Sequence, residues 1–178
     1  MSRPAVFLDR DGVINRAVVR NGTPHPPASV RELEILPGVP AALEMLRSRG
    51  YALIVVTNQP DVARGTLARS VVEEIHERLR TEYRLDAVLT CFHDGSGGCD
   101  CRKPRPGLLL QAARDFDIDL SASVMVGDRW RDVEAGQRAG CKTFYVDYDY
   151  QEQRPLTYDF RVSSLEEAAH IISQWESR

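Results

Sequence analysis

The feature that most limits the possible folds is the alternation of two kinds of segment along the chain. Short runs rich in β-branched residues lie at 5–9, 52–58, 87–92, 123–128 and 142–147. Most of these runs lack polar alternation, as is typical of strands buried on both faces of a parallel sheet. Segments with the periodicity of amphipathic helices separate them, at 38–50, 66–84, 107–116 and 131–140, and a last helix follows Ser164. The pattern predicts an α/β fold with a doubly wound, mainly parallel sheet and right-handed crossovers.

Length and charge narrow the possible functions. The chain has 178 residues, which predicts a single domain over 1–178 with a substantial core. Its formal net charge of -3 at pH 7 argues against binding to nucleic acid or to acidic membranes. No apolar run reaches the ~18 residues of a membrane span, and the apolar segment near the N-terminus is too short for the core of a signal peptide. We therefore expect a cytoplasmic protein.

An acid pair follows the first predicted strand, in the stretch "FLDRDG". Sheets of this kind bind ligands at the carboxyl ends of their strands. Asp9 and Asp11 are two residues apart, so an extended backbone points both side chains the same way, and Gly12 permits a sharp exit. Asp9 is ionised at neutral pH and can attack phosphorus without a base, while Asp11 can protonate the leaving oxygen and then deprotonate water. By itself, the motif is also compatible with a solvated turn that holds two incidental acids.

Two further strand ends offer groups suited to a phosphoryl group. Thr57 and Asn58 end the second predicted strand and supply a hydroxyl and an amide, although both residue types are also common in turns. Lys103 follows the third predicted strand and supplies a positive charge that suits a transferring phosphoryl group. As an isolated residue, Lys103 would be an ordinary surface lysine. The position of both groups at strand ends favours a shared site.

The fourth predicted strand ends in "VMVGD", with Asp128 at its carboxyl end. A carboxylate there suits Mg²⁺, together with Asp9 and the backbone carbonyl of Asp11. The alternative is an N-cap, because Gly-Asp often precedes a helix. Asp132 lies one turn further on and is a candidate for a further ligand or an orienting group. The sequence therefore predicts a magnesium site beside the acid pair.

A cluster of metal-ligand residues lies just ahead of Lys103. Three of the four cysteines and one of the four histidines fall in the loop 91–101. Three thiolates and one imidazole suit a tetrahedral structural Zn²⁺ with no open position for water. The alternative is reduced buried cysteines beside a surface histidine. Zinc binding would order the loop and hold Arg102 and Lys103 at a fixed distance from Asp9. The predicted ligands are Cys91, His93, Cys99 and Cys101.

Taken in order, "FLDRDG", "TNQ", "RKP" and "VGD" resemble the haloacid dehalogenase superfamily of phosphatases across most of the chain. The resemblance implies a Rossmann-like fold with Asp9 as nucleophile and Asp11 as acid and base. It also implies that Thr57 and Lys103 stabilise the phosphoryl group and that Asp128 completes the Mg²⁺ site. From Ile14 to about residue 38 we predict a loop, so the chain has no room for a large cap domain.

The stretch "CDCRKPRPG" after Cys-x-His resembles the heptose bisphosphate phosphatase branch of that superfamily. Members of this branch remove the 7-phosphate of D-glycero-D-manno-heptose 1,7-bisphosphate, and the zinc-containing histidinol-phosphatases are their relatives. Two segments differ from the pattern of the branch: Pro60-Asp61 replaces the expected Ser-Gly, and 15–32 differs from the usual loop. The expected substrate-binding residues are Asn58, Gln59, Arg64, Arg102 and Arg129.

The predicted partner is therefore a small phosphorylated sugar, bound by a monomer without nucleic acid or membrane. Hydrolysis of histidinol phosphate or of another small phosphosugar stays open, as does a non-catalytic phosphosugar-binding module. His76 and His170 lie in helical patterns, and we assign them to packing or to solvent. His25 lies in a Pro-rich loop, where contact with substrate is the alternative to the solvent exposure that we assign to it. Positive residues near the site could attract a doubly phosphorylated sugar. They are Arg10, Arg16, Arg20, Arg64, Arg102, Lys103 and Arg129.

Overall fold

The computed structural model describes residues 2–175, so positions 1 and 176–178 of the predicted domain lie outside the described residues. The strands and helices are, in chain order, β1 (Ala5–Leu8), β2 (Val18–Arg20), β3 (Thr23–His25), α1 (Val39–Ser48), β4 (Ala52–Asn58), α2 (Arg69–Glu82), β5 (Ala87–Cys91), α3 (Gly107–Asp115), β6 (Val124–Gly127), α4 (Trp130–Ala139), β7 (Lys142–Val146), β8 (Phe160–Val162) and α5 (Leu165–Ser173). Two short 3₁₀ helices, Val30–Glu32 and Leu120–Ala122, complete the list.

Six strands form one sheet in the order β5-β4-β1-β6-β7-β8, and every pair in it is parallel. The chain leaves β1 for β4 on one side and later returns to β6 on the other. The direction of winding therefore reverses beside β1, and such a switch point leaves a crevice at the carboxyl ends of the strands. The predicted doubly wound sheet is confirmed, and each of the five predicted strands is present to within two residues.

The core has one apolar layer on each face of the sheet. Val6 and Leu8 of β1 pack with residues of α1, α2 and α5, whereas Ala5 and Phe7 pack with residues of α3 and α4. All four residues of β1 are buried, which explains why this run shows no polar alternation. Within 2–175, none of the helices has the length and apolar character needed to cross a bilayer. Both faces of the sheet are thus covered, and its strand ends are left to form a site.

Two parts of the prediction are corrected. The segment predicted as a loop from Ile14 to about residue 38 contains an antiparallel hairpin of β2 and β3 and a 3₁₀ helix. Asn21 and Gly22 form its turn with φ values of 51° and 73°, the backbone that an Asn-Gly hairpin turn requires. Strand β8 was also missed, because three residues give too short a pattern; Phe160 stacks on Phe144 with ring centroids 4.6 Å apart.

Candidate active site

A cavity of about 270 Å³ lies at the carboxyl ends of the central strands. The hairpin contributes Thr23 and His25 to its wall. Thr57 does not line the cavity: it is buried at the end of β4, and its hydroxyl accepts a hydrogen bond from Gln59 at 3.0 Å. The predicted site residues that line the cavity are Asp9, Asp11, Asn58, Gln59, Arg64, Arg102, Lys103, Asp128 and Arg129.

Lys103 occupies the centre of this arrangement, with a side chain that is only 2% exposed. Its Nζ lies 2.9 Å from Asp9 Oδ1, 2.7 Å from Asp132 Oδ1 and 2.7 Å from the carbonyl oxygen of Val56. These three acceptors satisfy all three donors of the ammonium group. Burial alone would lower the pKa of Lys103, but the negative charges of Asp132 and Asp9 raise it above its ordinary value. Lys103 is therefore a fixed cation beside Asp9.

The backbone of Lys103 is held by Asn58, the last residue of β4. The Asn58 amide nitrogen donates to the Lys103 carbonyl at 3.0 Å, and the Lys103 N–H donates to the Asn58 side-chain oxygen at 3.1 Å. Both ends of the amide group thus position the lysine. The predicted contact of Asn58 with substrate stays a prediction.

The carboxyl group of Asp9 lies among other charges. Burial and the negative charge of Asp132 raise its pKa to about 6, and Asp11 adds to the shift, while Lys103 acts in the opposite direction. Three carboxyl groups, those of Asp9, Asp128 and Asp132, share this centre with one ammonium group. When all three are ionised, they leave an excess of negative charge that a bound cation would neutralise.

Asp128 provides the clearest sign of a metal position. Its carboxylate is buried, and neither oxygen has an ion-pair partner or a well-formed hydrogen bond among residues 2–175; the Tyr150 hydroxyl lies close enough only to oppose part of the shift in its pKa. Burial, followed by the charges of Asp9 and Asp132, raises the pKa of Asp128 well above its ordinary value. A Cβ atom on Gly12 would lie 2.1 Å from Asp128 Oδ2, so only glycine fits against this carboxylate. The orphaned oxygens and the excess negative charge fit a hard divalent cation such as Mg²⁺.

Asp132 is less available as a ligand than Asp128, although oxygens of Asp9, Asp128 and Asp132 lie within 4.8 Å of one another. One of its oxygens accepts from Lys103, and the other accepts from the backbone N–H of Arg129 at 3.0 Å. The structure therefore gives Asp132 an orienting role toward Lys103.

Asp11 is held by three neighbours. Arg10 donates to both of its oxygens at 3.0 Å, Asn15 donates to Oδ1 at 2.9 Å, and Gln59 donates to Oδ2 at 2.9 Å. Burial alone would raise the pKa of Asp11, but the Arg10 charge and the hydrogen bonds lower it below its ordinary value. The prediction that Arg10 attracts substrate is wrong, because its side chain is fully buried and paired with Asp11.

Two of the arginines predicted to bind substrate are already paired. Arg129 Nε donates to Glu152 Oε1 at 2.9 Å, and its Nη2 bonds the other oxygen of the same carboxylate. Arg64 lies 3.3 Å from Asp61 Oδ1 in an exposed pair. Such exposed pairs are weak and break readily. Arg129 is thus fixed at the wall of the cavity, whereas Arg64 remains at its rim.

Two other arginines at the cavity have no carboxylate partner among residues 2–175. Arg102 donates to the carbonyl oxygen of His93 at 2.9 Å. Arg131 lies over the ring of Trp130, 4.8 Å from its centroid. Burial lowers the pKa of Arg131, and the nearby positive charges of Arg129 and Arg102 lower it further. The wall of the cavity therefore includes two guanidinium groups that no carboxylate of the described residues pairs with.

The predicted zinc ligands converge. Cys91 Sγ lies 3.7 Å from Cys99 Sγ and 3.4 Å from His93 Nδ1, and His93 Nδ1 lies 3.2 Å from Cys101 Sγ. All four ligand atoms lie within 4.8 Å of one another, and no disulfide joins the cysteines. Two thiolates on one Zn²⁺ with bonds of about 2.3 Å are separated by roughly 3.8 Å in a tetrahedron. The donor set and its spacing fit zinc.

Sequence reasoning missed several residues at the site. Asn15 lies four residues after Asp11, in the same sharp exit from β1, and this proximity was an available signal. Arg131 lies within "DRWRD" at the start of α4, two residues after the predicted Arg129. Glu152 gave no local signal, because its partner Arg129 is 23 residues away. His25 was assigned to solvent, whereas the structure places it at the wall of the cavity.

Comparison with known proteins gives a consistent result. A family model described as haloacid dehalogenase-like hydrolase matches residues 26–140. The D-glycero-beta-D-manno-heptose-1,7-bisphosphate 7-phosphatase of Haemophilus ducreyi is 38% identical over 155 residues, covering 80% of this chain and 82% of that protein. The protein of the same name from Salmonella typhi is 41% identical over 155 residues, covering 80% of this chain and 79% of that protein.

A solved structure agrees over nearly the whole chain. The D,D-heptose 1,7-bisphosphate phosphatase from B. bronchiseptica, crystallised with magnesium and phosphate, superposes with a TM-score of 0.82 at 30% identity. The match covers 96% of this chain and 98% of that chain. These findings confirm the resemblance that the four strand-end motifs carry. The chain is a phosphatase of the haloacid dehalogenase-like hydrolase family.

Proposed function

We propose that the protein removes the 7-phosphate of a D-glycero-D-manno-heptose 1,7-bisphosphate by way of an aspartyl-phosphate on Asp9. One observation carries the proposal: Asp9, paired with Lys103, and Asp128, whose carboxylate is unpaired, line the cavity of a chain that is 38% identical to a heptose bisphosphate phosphatase. The cavity of about 270 Å³ suits a single small sugar.

The chemistry proceeds in two displacements. A carboxylate oxygen of Asp9 attacks phosphorus, the bond between phosphorus and the sugar oxygen breaks, and Asp11 gives its proton to that oxygen. Asp11 then takes a proton from water, which attacks phosphorus and releases phosphate from Asp9. Lys103 balances the charge of the transferring group, 2.9 Å from the nucleophile.

The lowered pKa of Asp11 keeps this carboxylate ionised in the resting protein, as its role as a base requires. Its role as an acid requires a proton at the start of the cycle. A phosphate dianion bound beside Asp11 raises its pKa, because like charges disfavour ionisation. Bound substrate thus shifts Asp11 toward the protonated form in which it acts as an acid.

Magnesium would be held by Asp9, the backbone carbonyl of Asp11 and Asp128, and would neutralise charge on the phosphoryl oxygens during transfer. The unpaired oxygens of Asp128 support this assignment. Asp132, with one oxygen on Lys103 and the other on the backbone of Arg129, serves as an orienting group.

Zinc would be held by the cluster in the loop 91–101 and would have a structural role. Arg102 links this loop to Lys103, since its guanidinium donates to the carbonyl of the ligand residue His93 and its backbone adjoins the lysine. Lys103 is thus positioned by two groups: the loop, which precedes it in the chain, and Asn58, which bonds its backbone carbonyl. The reduced cysteines suit a cytoplasmic protein, and we propose that it acts there as a monomeric domain.

The test is phosphate release with Mg²⁺ from both anomers of the heptose bisphosphate, histidinol phosphate and fructose 1,6-bisphosphate. We expect one heptose anomer to give the highest kcat/KM and Asp9→Asn to abolish turnover. A preference for histidinol phosphate would keep the chemistry and replace the substrate. An Asp9→Asn variant as active as the unmodified protein would refute the nucleophile assignment.

A further inference from the structure

The largest fully buried side chain is a charged one, that of Arg10. On one side, its Nε lies 3.2 Å from Asp11 Oδ1, and its Nη2 lies 3.0 Å from both oxygens of Asp11. On the other side, its Nη1 lies 3.0 Å from Nε2 of His76 in α2. A buried guanidinium is costly unless its donors are satisfied. His76 supplies the acceptor on the side that Asp11 does not reach.

This contact determines the protonation of the His76 ring. A guanidinium only donates, so Nε2 must be the unprotonated, accepting nitrogen. The proton then lies on Nδ1, which donates to the Thr90 hydroxyl of β5 at 3.3 Å. Burial and the charge of Arg10 lower the pKa of His76 to about 3, against a weaker opposing effect of Asp11. The ring is therefore neutral at pH 7.

The outer edge of the ring borders a second cavity, of about 370 Å³, between α2, β5 and α3. The charged residues of this cavity are Glu73, Glu77 and Arg80; Glu73 accepts from Arg69, Glu77 accepts from Arg80, and none of these bonds goes to His76. His76 instead bonds Arg10 through Nε2 and Thr90 through Nδ1, so both ring nitrogens are held.

We propose that His76 is a positioning residue for hydrolysis: it holds the Arg10 guanidinium, which in turn holds the Asp11 carboxylate where protons are exchanged. The inference rests on the proposed function, because it takes Asp11 as the acid and base. A continuous line of hydrogen bonds connects β5 and α2 with the exit of β1, from Thr90 through His76 and Arg10 to Asp11.

The test compares three substitutions at one position. In His76→Gln, an amide oxygen reaches about as far as Nε2 and can accept from Arg10, whereas the shorter side chain of His76→Asn reaches only as far as Nδ1. His76→Phe fills the volume without an acceptor. His170→Asn, a change at an exposed position of α5, is the matched control. Each variant is assayed with Mg²⁺ on a phosphosugar and on p-nitrophenyl phosphate, whose leaving group needs no proton.

We expect kcat on the phosphosugar to fall about 10–100-fold in His76→Asn and His76→Phe, with KM changed less than about threefold. His76→Gln should retain roughly a third or more of kcat, and p-nitrophenyl phosphate should lose less than the phosphosugar. Equal losses for Gln and Asn, or equal losses on both substrates in step with the melting temperature, would overturn the proposal.

A measurement that does not depend on turnover completes the test. The ¹⁵N NMR spectrum of the His76 ring in the full-length protein should show the tautomer with the proton on Nδ1, and a proton on Nε2 would overturn the proposal. If the heptose bisphosphate is a poor substrate while other phosphosugars are hydrolysed, the proposed function fails and the ratios of kcat still decide the role of His76. If no phosphomonoester is hydrolysed, both proposals fail.

Discussion

Lys103→Met removes a cation that lies between two buried carboxylates. The ammonium group is 2% exposed and lies 2.9 Å from Asp9 and 2.7 Å from Asp132. Methionine has a similar volume, so the change removes charge and donors rather than packing. Breaking a buried ion pair on one side costs about 3–5 kcal/mol. For a protein of this size, that corresponds to a fall of roughly 6–20 °C in melting temperature.

The matched control is Lys142→Met, the same change at the only other lysine of the chain. Lys142 is exposed at the start of β7, with its Nζ 5.3 Å from the Trp175 ring centroid. We expect this variant to unfold within about 2 °C of the unmodified protein, since surface changes are small. Both proteins are to be melted at pH 8 without added Mg²⁺, where Asp9 of the unmodified protein is ionised, the zinc stays in place and no added metal compensates for the lost charge.

The loss of kcat in Lys103→Met is a second quantity that can be estimated. Removing one preorganised group that stabilises a developing charge costs about 10²–10³ in kcat. Phosphate release by Lys103→Met should fall by that factor, whereas Lys142→Met should be unaffected. If Lys103→Met had the same melting temperature as Lys142→Met and kept its turnover, the buried cation would contribute neither to stability nor to catalysis, and the reasoning would fail.

Three further predictions follow from the same site. Cys99→Ser should lower the zinc content per chain, measured by mass spectrometry of the metal, and lower kcat because Lys103 loses its anchor; full zinc with low kcat would contradict this. Because the pKa of Asp9 is raised to about 6, protons compete with Mg²⁺ below that pH, and the apparent Mg²⁺ affinity in thermal-shift titrations should fall about tenfold per pH unit. Glu152→Gln frees Arg129 from its carboxylate and should lower KM for a phosphosugar about two- to fivefold at low salt, with the effect shrinking at high salt. An unchanged KM at both salt concentrations would show that Arg129 does not meet the substrate.

The sheet and the functional residues at the carboxyl ends of its strands could be predicted, because both depend on local sequence patterns. Runs such as "ALIVVTN" identify buried strands by themselves, and parallel strands bring their carboxyl ends to one edge. Asp9, Lys103 and Asp128 were therefore found although they lie far apart in the chain. The ligands of the predicted zinc loop are close in sequence, and their spacing was sufficient.

The errors concern contacts that no local pattern carries. Arg10 was counted among the positive groups facing substrate. It lies between Asp9 and Asp11, and successive side chains of an extended backbone point to opposite sides, so its side chain points away from the side that the two acids face. Its partner His76 is 66 residues away, and periodicity shows only which face of a helix is apolar. The hairpin was missed because its strands have three residues each, although Asn21-Gly22 is a strong turn signal.

The pairing of Lys103 with Asp9 also bears on how the protein becomes active during synthesis. The two residues are 94 positions apart, and α4, which supplies Asp132, follows still later in the chain. Contacts of such long range form late, because loop closure must precede them. A nascent or partly folded chain thus exposes an acid pair that lacks its counter-charge and has no means of hydrolysis. Turnover requires that β6 and α4 have docked beside β1, so a turnover assay reports assembly of the centre of the sheet as well as chemistry.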